Sequence, residues 1–162
     1  MKLAIIYYSK TGHTKEMAEV IAKGMRAQQA EVRLFSITED IDEAYLKECQ
    51  GVVFGTPTYY ATSAYQMMKW LDQIKIDFAG KLGGCFATAH FAQGGSDTAI
   101  LSILGVLLVK GMLVYSGGSA LGKPFIHHGP VALDAEENHY ELAKTIFEVF
   151  GERFAKQAEQ LA

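Results

Sequence analysis

The chain has 162 residues, of which 49% are hydrophobic and 20% charged, and its net charge is -3 at pH 7. These values suit one domain over residues 1–162, and they exclude a disordered chain and a strongly basic nucleic-acid-binding protein. The N-terminus has no signal-peptide pattern and no apolar stretch approaches the ~20 residues that span a bilayer. We therefore expect a cytoplasmic protein without a nucleic-acid or membrane partner. Cys49 and Cys85 lie in apolar runs, which favours two buried free thiols over a single disulfide.

Hydrophobic periodicity predicts alternating strands and helices along the first half of the chain. In chain order it predicts a buried strand, an amphipathic helix, an edge strand, a short helix and a third strand over residues 3–8, 14–28, 31–36, 42–48 and 51–55. The stretch Thr56-Pro57-Thr58 is expected to break the third strand.

The same alternation continues in the second half. An apolar face predicts a further helix at Ala64, Met67, Met68, Leu71 and Ile74. A strand, a helix, a fifth strand and a long loop then follow over residues 81–88, 96–110, 112–115 and 119–134. Ser96 or Asp97 is the expected N-cap of the helix. Asp134 and Glu137 have the spacing of a capping-box variant and are expected to open a final helix. Its predicted buried face comprises Leu142, Ile146, Val149 and Phe150.

This alternation predicts the fold class. Five strand–helix repeats are typical of an α/β three-layer sandwich, in which a five-stranded parallel sheet carries helices on both faces. In such sheets ligands bind outside the carboxyl ends of the strands. The loops to examine are therefore those over residues 9–14, 56–63, 88–96 and 117–134.

The turn between the first strand and the first helix has the chemistry of a phosphate site. It comprises Ser9, Lys10, Thr11, Gly12, His13 and Thr14. Three hydroxyls, a glycine and the free N–H groups of a helix N-terminus together suit an anion. The alternative is a polar turn in which Thr14 only caps the helix.

Two further loops offer groups for a flat ring. Tyr59 and Tyr60, which follow Pro57 and Thr58, can stack on a ring while their hydroxyls stay in water, or they can simply cover the core. The loop after the fourth strand contains Thr88, Ala89, His90, Gln93, Gly94 and Gly95. Its two glycines let backbone amides approach a ligand closely and stabilise negative charge that develops on it.

Other motifs carry less chemistry. Residues 117–124 resemble a Walker loop, but Pro124 stands where Ser or Thr is required, so we reject nucleoside-triphosphate binding. No histidine pair has metal-ligand spacing on one helix, and His127-His128 is interpreted as a solvated feature of the long loop. We therefore expect no metal site. No hydrolase nucleophile motif is present and neither cysteine has a reactive context, so the sequence identifies no catalytic residue.

The loops resemble those of the flavodoxin-like superfamily. Residues 7–14 resemble its phosphate loop, and the Gly12-His13 pair is closer to its WrbA-type quinone oxidoreductase branch. Residues 55–60 resemble the second loop of that branch. Further segments resemble the third loop of that branch, the helix after it and the entry to its fifth strand. They are Phe86-Ala87-Thr88, Gln93-Gly94-Gly95, Thr98, Leu101-Ser102 and Gly111-Met112.

This resemblance implies a sheet ordered 2-1-3-4-5 and a bound FMN. Residues 9–14 would hold the phosphate, residues 58–60 would flank the ring, and residues 88–95 would lie along its polar edge. WrbA-type enzymes pass electrons from NAD(P)H through FMN to quinones, usually as tetramers.

The chain departs from that branch at three places. Val109-Lys110 stands where the branch has a His-His pair, and Tyr59-Tyr60 replaces Arg-Phe or Arg-Tyr. A segment that carries an active-site Trp is missing between residues 73 and 81. Lys110 is interpreted either as a cation for an anionic acceptor or as a solvated cation at the end of a helix.

Two functions follow from the resemblance. The leading hypothesis is an FMN-dependent oxidoreductase that passes electrons from NAD(P)H to a quinone or a similar acceptor. The alternative is a flavodoxin-type electron carrier, which docks with redox partner proteins and catalyses nothing alone. Carriers tend to be strongly acidic, and a net charge of -3 gives a weak steering field, which favours the enzyme. A flavin-free domain on the same fold is a third possibility.

The third predicted helix suggests self-association. Met67, Met68 and Trp70 cannot all point into one core face, because successive helix residues diverge by about 100°. One apolar side is left over, and exposed apolar patches mark association surfaces. We therefore expect a homodimer or a larger homo-oligomer.

Overall fold

The computed structural model describes all of residues 1–162. Its strands are β1 (Lys2–Tyr7), β2 (Glu31–Ser36), β3 (Gly51–Tyr59), β4 (Thr62–Ser63), β5 (Leu82–Ala89), β6 (Leu113–Val114) and β7 (Val131–Leu133). Its helices are α1 (His13–Ala27), α2 (Glu43–Glu48), α3 (Tyr65–Gln73), α4 (Ser96–Val109) and α5 (Glu137–Gln160). Single turns of 3₁₀ helix lie at Ala92–Gly94 and Ser119–Leu121. None of the helices has the length and apolar character needed to cross a membrane.

The principal strands form one parallel sheet in the order β2-β1-β3-β5-β6. Among these five strands this is the expected order 2-1-3-4-5, so the α/β fold class and its topology are confirmed. Two short strands add to the sheet. β4 folds back antiparallel onto the end of β3, and β7 pairs in parallel with the end of β5. The sheet therefore has seven strands where five were predicted.

Side-chain alternation gives the sheet two apolar faces. In β1, Leu3 and Ile5 pack in the core beneath α1 and α5, whereas Ala4 and Ile6 pack in the core beneath α2, α3 and α4. All four side chains are fully buried. The continuous apolar run in this strand exists because a layer of helices covers each face of the sheet.

The third strand continues past its predicted break. β3 runs through Pro57 to Tyr59, and Pro57 lies opposite Thr88 of β5. On the other side, β1 pairs with β3 only as far as Gly55. A residue without an N–H group is tolerated beyond that point because no neighbouring strand needs its hydrogen bond.

Two short strands share the edge of the sheet where one fifth strand was predicted. β6 pairs with the start of β5, at Leu82 and Gly83, whereas β7 pairs with its end, at Ala87 to Ala89. The prediction of an unbroken loop over residues 119–134 is therefore wrong. A three-residue strand carries too little periodicity to be recognised, and its position depends on the exposed edge of β5.

The segment between β6 and β7 folds around one guanidinium. Arg153 of α5 donates hydrogen bonds of 3.0–3.4 Å to the carbonyl oxygens of Gly117, Gly118, Gly122, Lys123 and Pro124. This is the stretch that resembles a Walker loop. It turns carbonyl oxygens inward, whereas a phosphate loop turns N–H groups inward. The segment is therefore arranged around a cation.

The final helix differs from its prediction at its start and on its buried face. Glu136 is the N-cap of α5 and makes no side-chain capping bond, so the predicted capping box is absent. Leu142 is exposed, Ile146 and Val149 are half-buried, and Phe150 is buried. The core positions are Tyr140, Ala143, Phe147, Phe150 and Phe154. Apolar residues occupy two adjacent faces of this helix, and packing against α1 and the sheet selects one of them.

Cys49 and Cys85 are buried free thiols, as predicted. Burial raises the pKa of Cys49 to about 12, and burial also raises the pKa of Cys85. Both therefore stay protonated and unreactive at neutral pH. The N-cap of α4 is Gly95, one residue before the predicted cap.

The apolar residues of α3 are divided between core and surface. Met67 is buried, and Met68 and Trp70 are half-buried against the core. More apolar surface is exposed on α4, at Leu101, Leu108 and Val109. Self-association stays a prediction.

Candidate active site

A cleft of about 280 Å³ lies at the carboxyl ends of β1, β3 and β5. Its lining residues are Lys10, Thr11, His13, Thr14, Pro57, Thr58, Tyr59, Thr88, Ala89, His90 and Asp134. The sequence singled out all of these except Asp134 as candidate cofactor-binding residues. The candidates that do not line the cleft are Ser9, Gly12, Tyr60, Gln93, Gly94 and Gly95. The structure thus brings three separated loops to one place, and their binding role stays a prediction.

The turn before α1 closes around the hydroxyl of Ser9. Ser9 Oγ accepts hydrogen bonds from the N–H groups of Gly12 and Lys15, at 3.2 and 3.3 Å. Gly12 has φ 102°, a left-handed conformation that glycine adopts without steric cost. Five backbone N–H groups of this turn have no acceptor within the protein, namely those of Ser9, Lys10, Thr11, His13 and Thr14. Ser9 therefore shapes the turn, and the unpaired N–H groups are free to donate hydrogen bonds to an anion.

Thr14 does not cap α1, so the capping role that the alternative interpretation gave it is wrong. The hydroxyl of Thr14 shares a hydrogen bond of 2.8 Å with the hydroxyl of Thr88. Both side chains are buried. This bond joins the first turn of α1 to the end of β5, because the two elements meet at the base of the cleft.

The wall at the end of β3 is a tight hairpin. β3 and β4 pair antiparallel, and Tyr60 and Ala61 form the two-residue turn between them. These residues have φ 50° and 60°. Hairpin turns with two positive φ angles usually contain Asn and Gly, so this backbone is strained. Strain of this kind concentrates at functional sites.

Polar atoms inside this wall lack partners. Thr58 Oγ1, Ser63 Oγ and Gln66 Oε1 are buried and make no hydrogen bond. Thr58 also lines the cleft. A buried polar atom without a partner is costly, and native proteins contain few of them. The Thr58 hydroxyl is therefore available to the polar edge of a ligand.

Gly95 supports the hairpin and does not face the cleft. A Cβ on Gly95 would lie 2.5 Å from the Cβ of Ala61, and the φ of Gly95 is 84°. The tip of the hairpin therefore packs directly on the turn before α4. The Gly94 N–H donates to the carbonyl oxygen of Phe91 at 2.9 Å. The expectation that the Gly94 amide faces a ligand is wrong, because the 3₁₀ turn already uses it.

The two tyrosines of the second loop occupy different environments. Tyr59 lines the cleft, where burial and the neighbouring Tyr8 hydroxyl raise its pKa. Tyr60 is fully exposed at the tip of the hairpin, so it covers no part of the core. Gln66 Nε2 donates to the Tyr8 hydroxyl at 3.0 Å and closes this side of the wall.

Asp134 is the cleft residue that sequence reasoning missed. Its Oδ2 lies 2.9 Å from His13 Nδ1, and its Oδ1 lies 2.5 Å from His90 Nδ1. The capping-box spacing had assigned this carboxylate to the start of α5. The available signal was the presence of histidines in two predicted site loops, because an imidazole needs a hydrogen-bond partner to fix its orientation.

A second polar cluster anchors the start of α1 to α5. Tyr140 Oη donates to Glu16 Oε2 at 2.6 Å, and Lys144 Nζ lies 2.7 Å from Glu16 Oε1. Hydrogen bonds from Lys144 and Tyr140 lower the pKa of Glu16, whereas burial and Glu16 raise the pKa of Tyr140. The His13 ring packs edge-on against Tyr140, with the ring centroids 5.3 Å apart.

Lys110, His127 and His128 lie away from the cleft. Lys110 is the C-cap of α4 and lines a different groove with Met68 and Asp72, so it is a cation at the end of a helix. His127 and His128 are exposed in the segment before β7. No three His, Cys, Asp or Glu side chains are grouped so as to hold a metal ion.

Comparison with known proteins identifies a family. Residues 5–97 match the sequence profile of the flavodoxin family. A flavodoxin from Clostridium saccharobutylicum is 45% identical over 164 residues, which cover 99% of both chains. A flavodoxin from Aquifex aeolicus is 34% identical over 96% of this chain and 85% of its own. An NAD(P)H dehydrogenase (quinone) from Gluconacetobacter diazotrophicus is 29% identical over 82% of this chain and 76% of its own.

Solved structures share the fold at low identity. The WrbA-like flavodoxin of Agrobacterium tumefaciens superposes with a TM-score of 0.81 at 22% identity, covering 99% of both chains. The flavodoxin of Fusobacterium nucleatum bound to flavin mononucleotide superposes with a TM-score of 0.72 at 21% identity, covering 98% of both chains. Because the profile spans more than half of the chain and the Clostridium relative matches it end to end, this chain belongs to the flavodoxin family.

Proposed function

We propose that this protein is a flavodoxin-type electron carrier, which binds FMN in one domain over residues 1–162 and exchanges electrons with redox partner proteins. The observation that carries the cofactor assignment is the set of unpaired backbone N–H groups at the start of α1. The flavodoxin relatives and the FMN-bound Fusobacterium structure support it.

The turn before α1 fits the phosphate of FMN. The N–H groups of Thr11, His13 and Thr14 would donate to the phosphate oxygens, and the positive end of the α1 dipole favours a dianion there. Lys10 lines the same part of the cleft and adds a cation. Ser9 keeps the turn closed through its two backbone hydrogen bonds.

The opposite walls fit a flat ring with polar edges. Tyr59 offers an aromatic surface, and the Thr58 hydroxyl would gain the partner that it lacks. The end of β5 contributes Ala89 and His90 to the other wall. Bound FMN would supply reversible electron transfer, which none of these side chains can perform. The chain itself binds and orients the ring, and the half-buried hairpin wall limits access of water.

The relatives favour the carrier over the enzyme. The Clostridium flavodoxin aligns over 99% of both chains, whereas the quinone dehydrogenase of Gluconacetobacter aligns over only 76% of its own length. The low net charge, which favoured the enzyme at first, affects the rate of docking and leaves the chemistry open. Reduction of quinones by NAD(P)H remains the second candidate, supported by the quinone dehydrogenase relatives.

Flavin titration tests the cofactor assignment. Because the phosphate would accept several charge-assisted hydrogen bonds, FMN should bind at least about tenfold more tightly than riboflavin. Quenching of flavin fluorescence measures both affinities. Ser9→Ala should open the turn and weaken FMN while leaving riboflavin almost unchanged. Equal affinities in the wild type would refute a phosphate site at this turn.

Anaerobic reduction separates the carrier from the enzyme. In excess NADH or NADPH, the absorbance of the oxidised flavin should persist in the carrier and disappear on adding dithionite. Bleaching by NAD(P)H alone, followed by recovery with benzoquinone, would instead establish the NAD(P)H-dependent oxidoreductase.

A further inference from the structure

Asp134 is held at the end of β5 by its own backbone. The Asp134 N–H donates to the carbonyl oxygen of Ala89 at 3.0 Å, and the Ala135 N–H donates to that of His90 at 3.3 Å. These bonds hold the chain against the end of β5 just after β7 ends at Leu133. The carboxylate therefore starts from a fixed position on the β5 wall of the cleft.

The two carboxylate oxygens contact different walls. Oδ2 lies 2.9 Å from Nδ1 of His13, which is the first residue of α1, and Oδ1 lies 2.5 Å from Nδ1 of His90, which follows β5. Only 18% of the Asp134 side chain is exposed, against 40% for His13 and 67% for His90. One mostly buried carboxylate thus joins two imidazoles that the sequence separates widely.

The two imidazoles have further contacts of their own, two for His13 and one for His90. The His13 ring packs on Tyr140, and its Nδ1 lies 3.2 Å from Thr11 Oγ1. The His90 ring packs edge-on against Phe91 at 4.6 Å. A carboxylate at Nδ1 fixes the orientation of an imidazole and leaves Nε2 for other partners. Asp134 therefore contributes to the orientation of both rings.

Asp134 places a carboxylate near the N-terminus of α1, where the FMN phosphate is proposed to bind. His13 begins the helix whose N–H groups are assigned to the FMN phosphate, and an anion beside a dianion is repulsive. We propose that Asp134 is a positioning residue of the FMN site, which clamps the turn before α1 to the loop after β5 so that the two halves of the site keep a fixed separation. This inference rests on the proposed binding of FMN.

The clamp and simple electrostatic repulsion predict opposite changes in the affinity for FMN when the charge of Asp134 is removed. Removing the charge by Asp134→Asn keeps the shape of the side chain. Under repulsion alone it should tighten FMN and leave riboflavin unchanged. Under the clamp it should weaken both ligands, FMN by at least about tenfold, because the turn before α1 loses its position at the phosphate and the loop after β5 loses its position at the ring.

The experiment measures amide hydrogen exchange of the apo protein and flavin affinity for three proteins. They are the wild type, Asp134→Asn and the control Asp97→Asn, which removes a carboxylate that lies 3.4 Å from an exposed histidine, His128, outside the cleft. In the apo proteins, amide hydrogen exchange should accelerate in residues 9–14 and 88–95 of Asp134→Asn only. Flavin titrations should then show weaker binding of both FMN and riboflavin, and Asp97→Asn should match the wild type.

The outcomes separate the clamp from the proposed function. Unchanged exchange in both segments of Asp134→Asn, or tighter FMN with unchanged riboflavin, would overturn the clamp. A wild type that binds neither flavin would refute the proposed function, and apo exchange alone would then decide the clamp. If Asp134→Asn does not fold, His90→Asn replaces it, and faster exchange in the distant residues 9–14 is the expected result. Unchanged exchange there in His90→Asn would equally overturn the clamp.

Discussion

The two turns that flank the cleft are built in opposite ways. The turn before α1 places a glycine, Gly12, in its left-handed position and closes on the hydroxyl of Ser9. The β3–β4 hairpin places Tyr60 and Ala61 in left-handed conformations, which cost non-glycine residues about 1–2 kcal/mol each. It is held from outside by Gly95. The first turn is specified by its own residues, and the second is imposed by tertiary packing.

Gly95→Ala should have the largest effect on stability and flavin binding, through the β3–β4 hairpin. Its Cβ would lie 2.5 Å from the Cβ of Ala61 at a φ of 84°, so either the hairpin or the start of α4 must move. We expect a loss of about 3 kcal/mol in the free energy of unfolding and weaker binding of FMN and riboflavin alike. Urea unfolding and flavin titration measure the two effects.

Gly94→Ala is the matched control. A Cβ at Gly94 has only Ala89 as a neighbour, at 3.8 Å, and its φ is not positive. Stability and flavin affinity should stay close to those of the wild type. If Gly95→Ala behaves like Gly94→Ala, the hairpin does not depend on the turn before α4.

Thr14→Val should have the next largest effect, on the turn before α1. It removes the buried hydrogen bond of 2.8 Å between the hydroxyls of Thr14 and Thr88. The Thr88 hydroxyl is then buried without a partner, which should lower the free energy of unfolding by about 1–3 kcal/mol. The double variant Thr14→Val, Thr88→Val removes both hydroxyls and should recover part of the loss. An unfolding free energy unchanged in Thr14→Val would mean that the bond contributes nothing, and additive losses in the double variant would mean that the two hydroxyls act separately.

Gly12→Ala and Ala61→Gly test the local origin of the two turns directly. A Cβ at Gly12 meets no atom within 4 Å, so Gly12→Ala should cost only its conformational strain, about 1 kcal/mol. Ala61→Gly should stabilise the protein by about 0.5 kcal/mol, since relief of strain exceeds the added entropy of the unfolded chain. Thermal unfolding of both variants shows whether each substitution raises or lowers the stability. A destabilised Ala61→Gly would show that the hairpin is not strained.

Glu16 should make a smaller, pH-dependent contribution to the anchoring of α1. Lys144 and Tyr140 lower its pKa in the folded protein below the ordinary value of 4.5. Its stabilising effect is therefore complete above pH 4.5 and is lost as the pH falls through the lowered value. Glu16→Gln should reduce stability at neutral pH and flatten its decline below pH 4.5. Parallel pH profiles for the two proteins would contradict this linkage.

Local patterns predicted the elements whose residues interact with near neighbours. β1 follows from an unbroken apolar run, and α1 follows from a 3.6-residue period after a polar turn. The turn over residues 9–14 could be recognised because its hydroxyls, its glycine and the helix start are consecutive. Even there the partner of Thr14 could not be predicted, since Thr88 is 74 residues away.

Features that depend on distant partners escaped prediction. β7 exists only where the end of β5 offers an unpaired edge, and Asp134 enters the cleft only because β7 places it there. In the sequence alone, the spacing of Asp134 and Glu137 suggested a capping box. Similarly, Gly94 and Gly95 look equivalent in the sequence, but only Gly95 packs on Ala61.

The sequence by itself determined the strand–helix alternation, the parallel sheet and the polar turn over residues 9–14, because these arise from periodicity and from chemistry within a few residues. The tertiary structure alone decided the strained hairpin, the two short strands that share the edge of the sheet and the Asp134 contacts with His13 and His90. Each of these requires two segments, far apart in the chain, to meet at one edge of the sheet. The free energy of such contacts depends on the packing of the whole fold and leaves no local pattern to read.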